Sequence, residues 1–265
     1  MSRASGALLD PRNGPAFDLP PPRAPEQRYV IASLPRTGST LLCRALWDTG
    51  RVGAPKEYLN PMQLRDWSVR FDGPAARLRY GLIRGPLLAL VGHGWSAYRR
   101  DAHLSRVRAR RSGPEGHFGL KLHFHHFQRF YGGRVESLGP ARWILLTRAD
   151  PVAQAVSWAR AQQTGAWAST QRADLPPVYS RRRIQRALDR IHAFEAGWRQ
   201  ALQAAGVSPL HLTYEQLDAD LTAACRRVLG HLGFRDADAI DIPAPTLVRQ
   251  ADGISADWIR RFRSG

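Results

Sequence analysis

Lysine is nearly absent from this basic chain. Of its 39 Lys and Arg residues only Lys56 and Lys121 are lysines, although the formal net charge is +17 and the isoelectric point is about 11.2. Arginines that are spread along the whole sequence indicate biased codon usage more than a dedicated nucleic-acid-binding face. We therefore expect no nucleic-acid partner, and a basic nucleic-acid-binding protein remains only an alternative interpretation.

Cysteine and long apolar runs are also scarce. Cys43 and Cys225 lie in apolar helical patterns without the spacing of a metal site, which predicts reduced core residues. The longest apolar patch, near residues 86–91, is far shorter than the roughly 20 residues of a membrane-spanning helix. No basic segment followed by a long apolar run opens the chain. The sequence thus predicts a cytoplasmic protein without a secretory signal or transmembrane segment.

The order of apolar patterns predicts the organisation of the chain. Residues 1–27 are rich in Pro and Arg and lack periodicity, so we expect a disordered or loosely attached arm. Residues 28–265 alternate strand and helix patterns, which predicts an α/β fold with a three-layer parallel sheet. Residues 62–116 are the exception and are interpreted as a helical insertion. Its mixed aromatic and Arg residues fit either a sugar-binding cleft or helix packing with a solvated charged face.

Residues 29–47 carry the strongest local signal. A short apolar strand pattern, YVIAS, leads into the turn LPRTGST and then into a helix with Leu41, Leu42 and Ala45 at helical spacing. The start of a helix presents unpaired N–H groups and the positive end of its dipole to an anion. Arg36 adds a fork of donors and Gly38 allows close backbone approach. Five residues form this predicted anion loop for phosphate or sulfate: Arg36, Thr37, Gly38, Ser39 and Thr40.

The anion loop differs from the P-loop of nucleoside triphosphatases. That pattern, G-x-x-x-x-G-K-[ST], needs a first Gly and a Lys that this loop lacks. No clear acidic partner for Mg²⁺ follows a later strand either. A P-loop-type kinase or hydrolase is therefore kept only as an alternative.

A second strand-to-helix element predicts another anion site. The run at residues 143–147 is a buried strand pattern, Asp150 is a predicted N-cap, and Pro151 suits the first helical position. Arg148 lies in the turn and Ser157 in the helix. The simplest competing interpretation of Arg148 is a salt bridge at the end of the strand.

Three further residues are candidates for catalysis. Glu57 follows the turn GAPKEY, where a neighbouring parallel strand would open at the same sheet edge as the anion loop. Lys121 and His123 share one face of the strand HFGLKLH by its period of two. A carboxylate or imidazole there could accept the proton of an attacking hydroxyl. His123, His125 and His126 lack a carboxylate or Cys that would complete a metal site, so we expect no metal.

Four motifs together resemble the bacterial trehalose 2-sulfotransferase family of sulfotransferases. They are PRTGSTLLCRAL, GAPKEY, the R-x-D…QAVS element and RAQQTGAW. Their sulfuryl donor is 3′-phosphoadenosine 5′-phosphosulfate (PAPS). This resemblance implies a P-loop-like sulfotransferase architecture in which the anion loop holds the 5′-phosphosulfate. It also implies that Arg148 and Ser157 contact the 3′-phosphate, that Arg249 and Gln250 close over the cofactor, and that Glu57 is the general base. In related sulfotransferases a Lys-x-His pair makes His123 a second candidate base.

The resemblance implies a carbohydrate or glycolipid acceptor and a homodimer. Ala54 and Leu34 replace polar groups that the trehalose enzymes can carry, so a more apolar or larger acceptor, such as a glycolipid, stands as an alternative to a trehalose-like sugar. The basic cluster RVRARR within the insertion could contact anionic lipid headgroups, as a peripheral membrane contact. Resemblance is weakest within residues 62–116, where we expect the acceptor to be selected.

Overall fold

A four-stranded parallel sheet forms the centre of the protein. A computed structural model describes residues 8–73, 93–165, 167, 176–244 and 253–265. The strands are β1 (Gln27–Ser33), β2 (His117–His123), β3 (Arg142–Thr147) and β4 (Leu210–Thr213). Their order in the sheet is β2-β1-β3-β4, and all pairs are parallel, with Ser33 beside both His123 and Leu146. The carboxyl ends of β1, β2 and β3 therefore meet at one edge.

Helices cover both faces of this sheet. The described helices are α1 (Ser39–Asp48), α2 (Pro61–Asp72), α3 (His93–Arg111), α4 (Phe124–Tyr131), α5 (Pro151–Thr164), α6 (Arg181–Ala204), α7 (Tyr214–Ala219), α8 (Leu221–Leu232) and α9 (Gly253–Ser264). Alternate residues of β1 belong to separate cores on the two faces of the sheet. Val30 belongs to the core that includes residues of helices α2 to α6, and Ile31 to the core that includes residues of α1 and α8. The predicted three-layer α/β fold is confirmed.

Trp198 of α6 ties the larger core to the functional edge. Its ring packs against Phe127 and Trp143, with centroids 4.5 and 6.1 Å away. Its indole Nε1 donates to the Ser33 carbonyl at 3.1 Å, which satisfies the last backbone acceptor of β1 inside the core. The position at which β1 gives way to the anion loop is thus fixed by a buried side chain.

Two local features differ from the sequence prediction. Val52, before the turn GAPKEY, suggests a brief strand, but among the described residues this segment makes a single bridge, between Lys56 and Leu120, because Gly53 has φ +77°, which an extended strand cannot accommodate. Near the C-terminus, the run ISADW predicts a short helix capped by Ser255, but Ser255 lies inside α9, which begins at Gly253.

The N-terminal segment differs most from its prediction. Residues 8–27 lie against the domain, with two short 3₁₀ helices at Pro11–Asn13 and Pro15–Phe17. Leu19 N donates to Arg110 O and Arg23 N to Pro114 O, each at 2.9 Å. This described part is therefore not the loosely attached arm that its composition predicted. Its hydrogen-bonding partners in the domain lie more than 40 residues away in the chain, where a local pattern does not reveal them.

Residues 62–116 are helical where they are described, in α2 and α3; residues 74–92 lie outside the described residues. The arginines of the basic cluster face acidic groups of the same chain. Arg106 pairs with Asp72 at 2.8 Å and Arg108 with Glu26 at 3.0 Å. These pairs leave the cluster less available to lipid headgroups than its sequence indicated. Within the described residues, no helix is long and apolar enough to span a membrane.

Gly53 provides a test of the tight turn before Glu57. A Cβ at this position would lie 2.4 Å from the Arg111 carbonyl oxygen, in a backbone conformation with φ +77°. We expect Gly53→Ala to lower the free energy of unfolding by at least about 2 kcal/mol, because strain and a backbone clash add together. Gly50→Ala is the matched control: φ is +69° but nothing lies within 4 Å, so its loss should be about 1 kcal/mol. Equal losses in urea titrations would contradict the steric argument.

Candidate active site

The anion loop, Arg36 to Thr40, lies where the turn at residues 34–38 leads from β1 into α1. Gly38 has φ +74°, and a Cβ there would lie 2.9 Å from the Tyr214 ring, so the turn requires glycine. Arg36 also has a positive φ, +69°, a conformation that is costly for a residue with a side chain and that is often found at functional sites. Thr37 Oγ1 donates to Leu34 O at 2.9 Å and closes the turn. The N-cap of α1 is Gly38, which has no side chain to compete with a ligand for the first N–H groups of the helix.

Helix α5 packs across the anion loop. Asp150 caps it, accepting from Ala153 N at 3.0 Å, as predicted. Gln154 Nε2 donates to Pro35 O at 2.8 Å, and Arg36 Nε donates to Ser157 Oγ at 2.9 Å. These bonds bring the two predicted anion elements into one site.

Arg148 completes this basic region. Its guanidinium lies 4.4 Å from the Tyr214 ring centroid, and its Nη1 donates to Arg36 O at 3.4 Å. Glu215 lies 3.8 Å from Arg148 Nε, and it also accepts from Ala149 N at 2.9 Å. Burial lowers the pKa of Arg36, and the charge of Arg148 adds to that effect. Arg36 and Arg148 are two neighbouring guanidinium groups with like charges that repel each other. Such a pair fits an anionic ligand that carries more than one negative charge.

Glu57 lies at the opposite side of the loop, in a cluster with three cationic or titratable side chains. Its Oε2 is 3.1 Å from Lys121 Nζ and 3.5 Å from His123 Nε2. His126 Nδ1 is 3.2 Å from Oε1, at an angle that makes no hydrogen bond. Lys121 Nζ also donates to Thr40 Oγ1 at 3.3 Å. Lys121 therefore links the carboxylate to the beginning of α1.

The charge state of this cluster follows from its burial and its neighbours. Burial raises the pKa of Glu57, but protonated His123, Lys121 and protonated His126 would together outweigh that effect, so the net pKa lies well below the usual range. Burial lowers the pKa of His123 to about 3 and that of His126 to about 4, despite the Glu57 charge. Both imidazoles are therefore neutral near pH 7, and we assign the stabilising cation to Lys121.

The tautomer of His123 can be assigned from its hydrogen bonds. Ser33 Oγ lies 3.1 Å from Nδ1, while Nε2 faces the Glu57 carboxylate. A proton on Nε2 suits the carboxylate, and Nδ1 then accepts from the Ser33 hydroxyl. In this state His123 has no lone pair left for an incoming hydroxyl.

The structure brings together most of the predicted site residues. Glu57, Lys121 and His123 form one cluster, and Arg36, Arg148 and Ser157 form another on the far side of the anion loop. Arg249 and Gln250 lie outside the described residues. Sequence reasoning missed Ser33 and Tyr214 as site residues, since neither stands in a recognisable motif.

Two other residues at the site stand in recognisable sequence patterns: His126 in the histidine run at residues 123–126 and Gln154 in the QAVS motif. Among the described residues, no group of His, Cys, Asp and Glu side chains could hold a metal ion.

The buried neutral histidines predict an acid-sensitive fold. The pKa of His126 is about 4 in the folded protein and near 6.5 when exposed. Below pH 6.5 His126 binds a proton in the unfolded chain, whereas in the folded chain it stays neutral down to about pH 4. The free energy of unfolding should therefore decrease as the pH is lowered from 6.5 to 4, which urea titrations at successive pH values can measure.

In the variant His126→Gln, the free energy of unfolding should fall less steeply as the pH is lowered. The difference in slope should correspond to the uptake of at most one proton. His192→Gln, at an exposed position of α6, is the control and should leave the slope unchanged. An unchanged slope in His126→Gln would contradict the assignment of a neutral buried imidazole.

Two curated proteins are similar to this chain over most of its length. They are trehalose 2-sulfotransferases of Mycobacterium tuberculosis (strain ATCC 35801 / TMC 107 / Erdman) and of Mycolicibacterium smegmatis (strain ATCC 700084 / mc(2)155). Each is 28% identical to this chain, and each comparison covers 89% of this chain and 94% of the relative.

Two solved structures have a more distant likeness. A retinol dehydratase in complex with retinol and PAP aligns with 92% of this chain and 82% of its own, at 16% identity and a TM-score of 0.42. A sulfotransferase domain from the Synechococcus PCC 7002 olefin synthase aligns with 93% of this chain and 98% of its own, at 16% identity and a TM-score of 0.37.

The sequence profile of the Stf0 sulphotransferases matches residues 28–265, which include the sheet, both basic elements and the Glu57 cluster. The earlier resemblance is thereby confirmed, and the chain belongs to the Stf0 sulfotransferase family.

Proposed function

We propose that this protein transfers a sulfuryl group from PAPS to a hydroxyl of a carbohydrate or glycolipid, with Glu57 as the general base. The observation that carries the proposal is the position of Lys121, whose Nζ lies 3.3 Å from Thr40 Oγ1 and 3.1 Å from the Glu57 carboxylate. One side chain thus spans the distance between the anion loop and the candidate base. A hydroxyl bound beside Glu57 would lie near an anion held at the start of α1.

The basic side of the loop suits the two anionic ends of the donor. In this proposal the residues from Arg36 to Thr40 hold the 5′-phosphosulfate through backbone N–H groups and hydroxyl donors. Arg148 and Ser157 hold the 3′-phosphate, and the contact between Arg36 and Ser157 separates the two subsites. Arg249 and Gln250 would close over the cofactor. When bound, PAPS supplies the activated sulfuryl group and leaves as the 3′,5′-bisphosphate.

The charge state and the position of Glu57 suit a proton acceptor in this reaction, although its low pKa makes it a weak base. Its low pKa keeps it ionised at neutral pH, and His123, protonated on Nε2 toward that carboxylate, offers no lone pair to the acceptor. The acceptor oxygen forms a bond to sulfur, the bond from sulfur to the phosphate oxygen breaks, and the hydroxyl proton moves to Glu57. Lys121 is placed to stabilise charge on the transferring group, and no metal is required for these steps.

Trehalose is the first acceptor to test, because the curated relatives are trehalose 2-sulfotransferases. Leu34 and Ala54 are both fully buried, so these two positions offer no hydrogen bond to a sugar hydroxyl. Residues 62–116, the helical insertion, are the proposed determinants of a different or larger acceptor. Contact with a membrane surface and homodimer formation are further parts of this proposal.

Cofactor binding can be tested with the desulfated product, 3′-phosphoadenosine 5′-phosphate (PAP). We expect calorimetric titration to give tight binding without added metal, and weaker binding of ADP, which lacks the 3′-phosphate. Arg148→Ala should weaken PAP binding by roughly 30- to 100-fold, the effect of losing a charged hydrogen bond worth about 2–3 kcal/mol. Arg190→Ala, at an exposed position of α6, should bind as the wild type does. No preference for PAP over ADP would overturn the proposed cofactor.

The base is tested by comparing two variants with PAPS and trehalose as substrates. Glu57→Gln should lower kcat by roughly 10²- to 10⁴-fold, as expected on loss of a general base, while PAP affinity stays near that of the wild type. His123→Gln should retain more activity, because its role here is to orient the carboxylate. Turnover that survives in Glu57→Gln and disappears in His123→Gln would assign the base to His123.

A further inference from the structure

The segment at residues 8–18, which we call the N-terminal strap, packs against buried charged side chains. Asp66 of α2 has no exposed surface, and its carboxylate accepts from Leu9 N at 2.9 Å and Asp10 N at 2.8 Å. It also accepts from the Asn13 amide at 3.0 Å, and Asn13 is fully buried as well. A buried carboxylate is costly unless it is hydrogen-bonded. The strap supplies three of the donors that Asp66 needs.

Further charged residues hold the other end of the strap. Arg111 is 1% exposed, and its Nη2 donates to Arg12 O at 3.0 Å and to Gly14 O at 3.3 Å. Asp18 pairs with this guanidinium and with Arg70. The strap is therefore a fixed part of the fold, although it lies before residue 28, where the match to the family begins.

Lys56 connects the strap to the active site. Its Nζ lies 2.6 Å from Asp10 Oδ2 and 2.8 Å from Asn13 Oδ1. Lys56 also forms the bridge to β2, where its carbonyl accepts from Lys121 N at 3.0 Å. The next residue is Glu57. Because successive side chains of an extended backbone point to opposite sides, Lys56 reaches the strap while Glu57 reaches the Lys121 cluster.

We propose that the N-terminal strap positions the Glu57 carboxylate through the contacts of Asp10 and Asn13 with Lys56. Lys56 is then a positioning residue and takes no part in the chemistry. Among the described residues, one backbone bridge joins Lys56 to the sheet, and the contacts of its side chain with the strap are a further attachment of this segment. The basic cofactor elements lie on the β3 side of the anion loop, so the strap should affect the base and leave cofactor binding unchanged. This inference deepens the proposed function and rests on Glu57 being the base.

The test uses Lys56→Met and Asp10→Asn in the full chain, with Asp18→Asn as the matched control. Asp18 anchors the strap through Arg70 and Arg111 and makes no contact with Lys56. The first readout is the set of imidazole signals of His123 and His126 in ¹H–¹⁵N spectra, which respond to the position of the neighbouring carboxylate. These signals are assigned with the variants His123→Gln and His126→Gln.

We expect the two imidazole signals to shift in Lys56→Met and Asp10→Asn and to remain in place in Asp18→Asn. With PAPS and trehalose, kcat should fall by roughly tenfold to 100-fold in the first two variants, because a misplacement of about 1 Å is that costly. PAP affinity should be unchanged in all three. The double variant should be no worse than Lys56→Met alone, since Asp10 acts through Lys56.

A uniform loss of thermal stability in the three variants, with unmoved imidazole signals, would overturn the proposal and leave the strap a structural element only. Additive losses of kcat in the double variant would also count against it. The spectra do not depend on turnover. A wild-type protein that fails to bind PAP would contradict the proposed function, while shifted signals would still support the role of the strap in placing Glu57.

Discussion

The pairing of one buried carboxylate is the constraint on which this site depends. Glu57 is largely withdrawn from water, and a charge in that position is stable only beside a cation and polar partners. Lys121 provides the cation, and the neutral imidazoles of His123 and His126 complete the surroundings. Each partner comes from β2 or from the helix that follows it. The parallel register of β1 and β2 therefore determines whether the carboxylate can lie beside the anion loop.

The sequence predicted the sheet well because each strand has a local pattern. The alternation in HFGLKLH and the buried run at residues 143–147 both correspond to strands of the structure, and the parallel order follows from the helices between them. The same period of two placed Lys121 and His123 on one face, where they meet Glu57. Local spacing was sufficient here, because one regular strand carries both residues.

The remaining contacts depend on distant parts of the chain. Asn13 contacts Asp66 across 53 residues, and Lys56 across 43. In the sequence, the strap has the composition of a disordered segment, since its few apolar residues do not reveal that its backbone N–H groups satisfy a buried acid. Ser33 was equally hidden, because its hydroxyl acquires a role only when β2 lies alongside.

The long separation between the strap and its anchors has a consequence for the order of assembly. Asp66 and Arg111 emerge from the ribosome well after residues 8–18, so the strap has no complete docking surface until the chain has been made to the end of α3. Its hydrogen bonds to these residues close loops of up to 99 residues, which makes them late to form during folding. A nascent or partly opened chain can thus possess an intact anion loop while its carboxylate is still unanchored. Docking of the strap would then be a step in its own right, besides closure of the sheet, on the way to a protein that is competent for proton transfer.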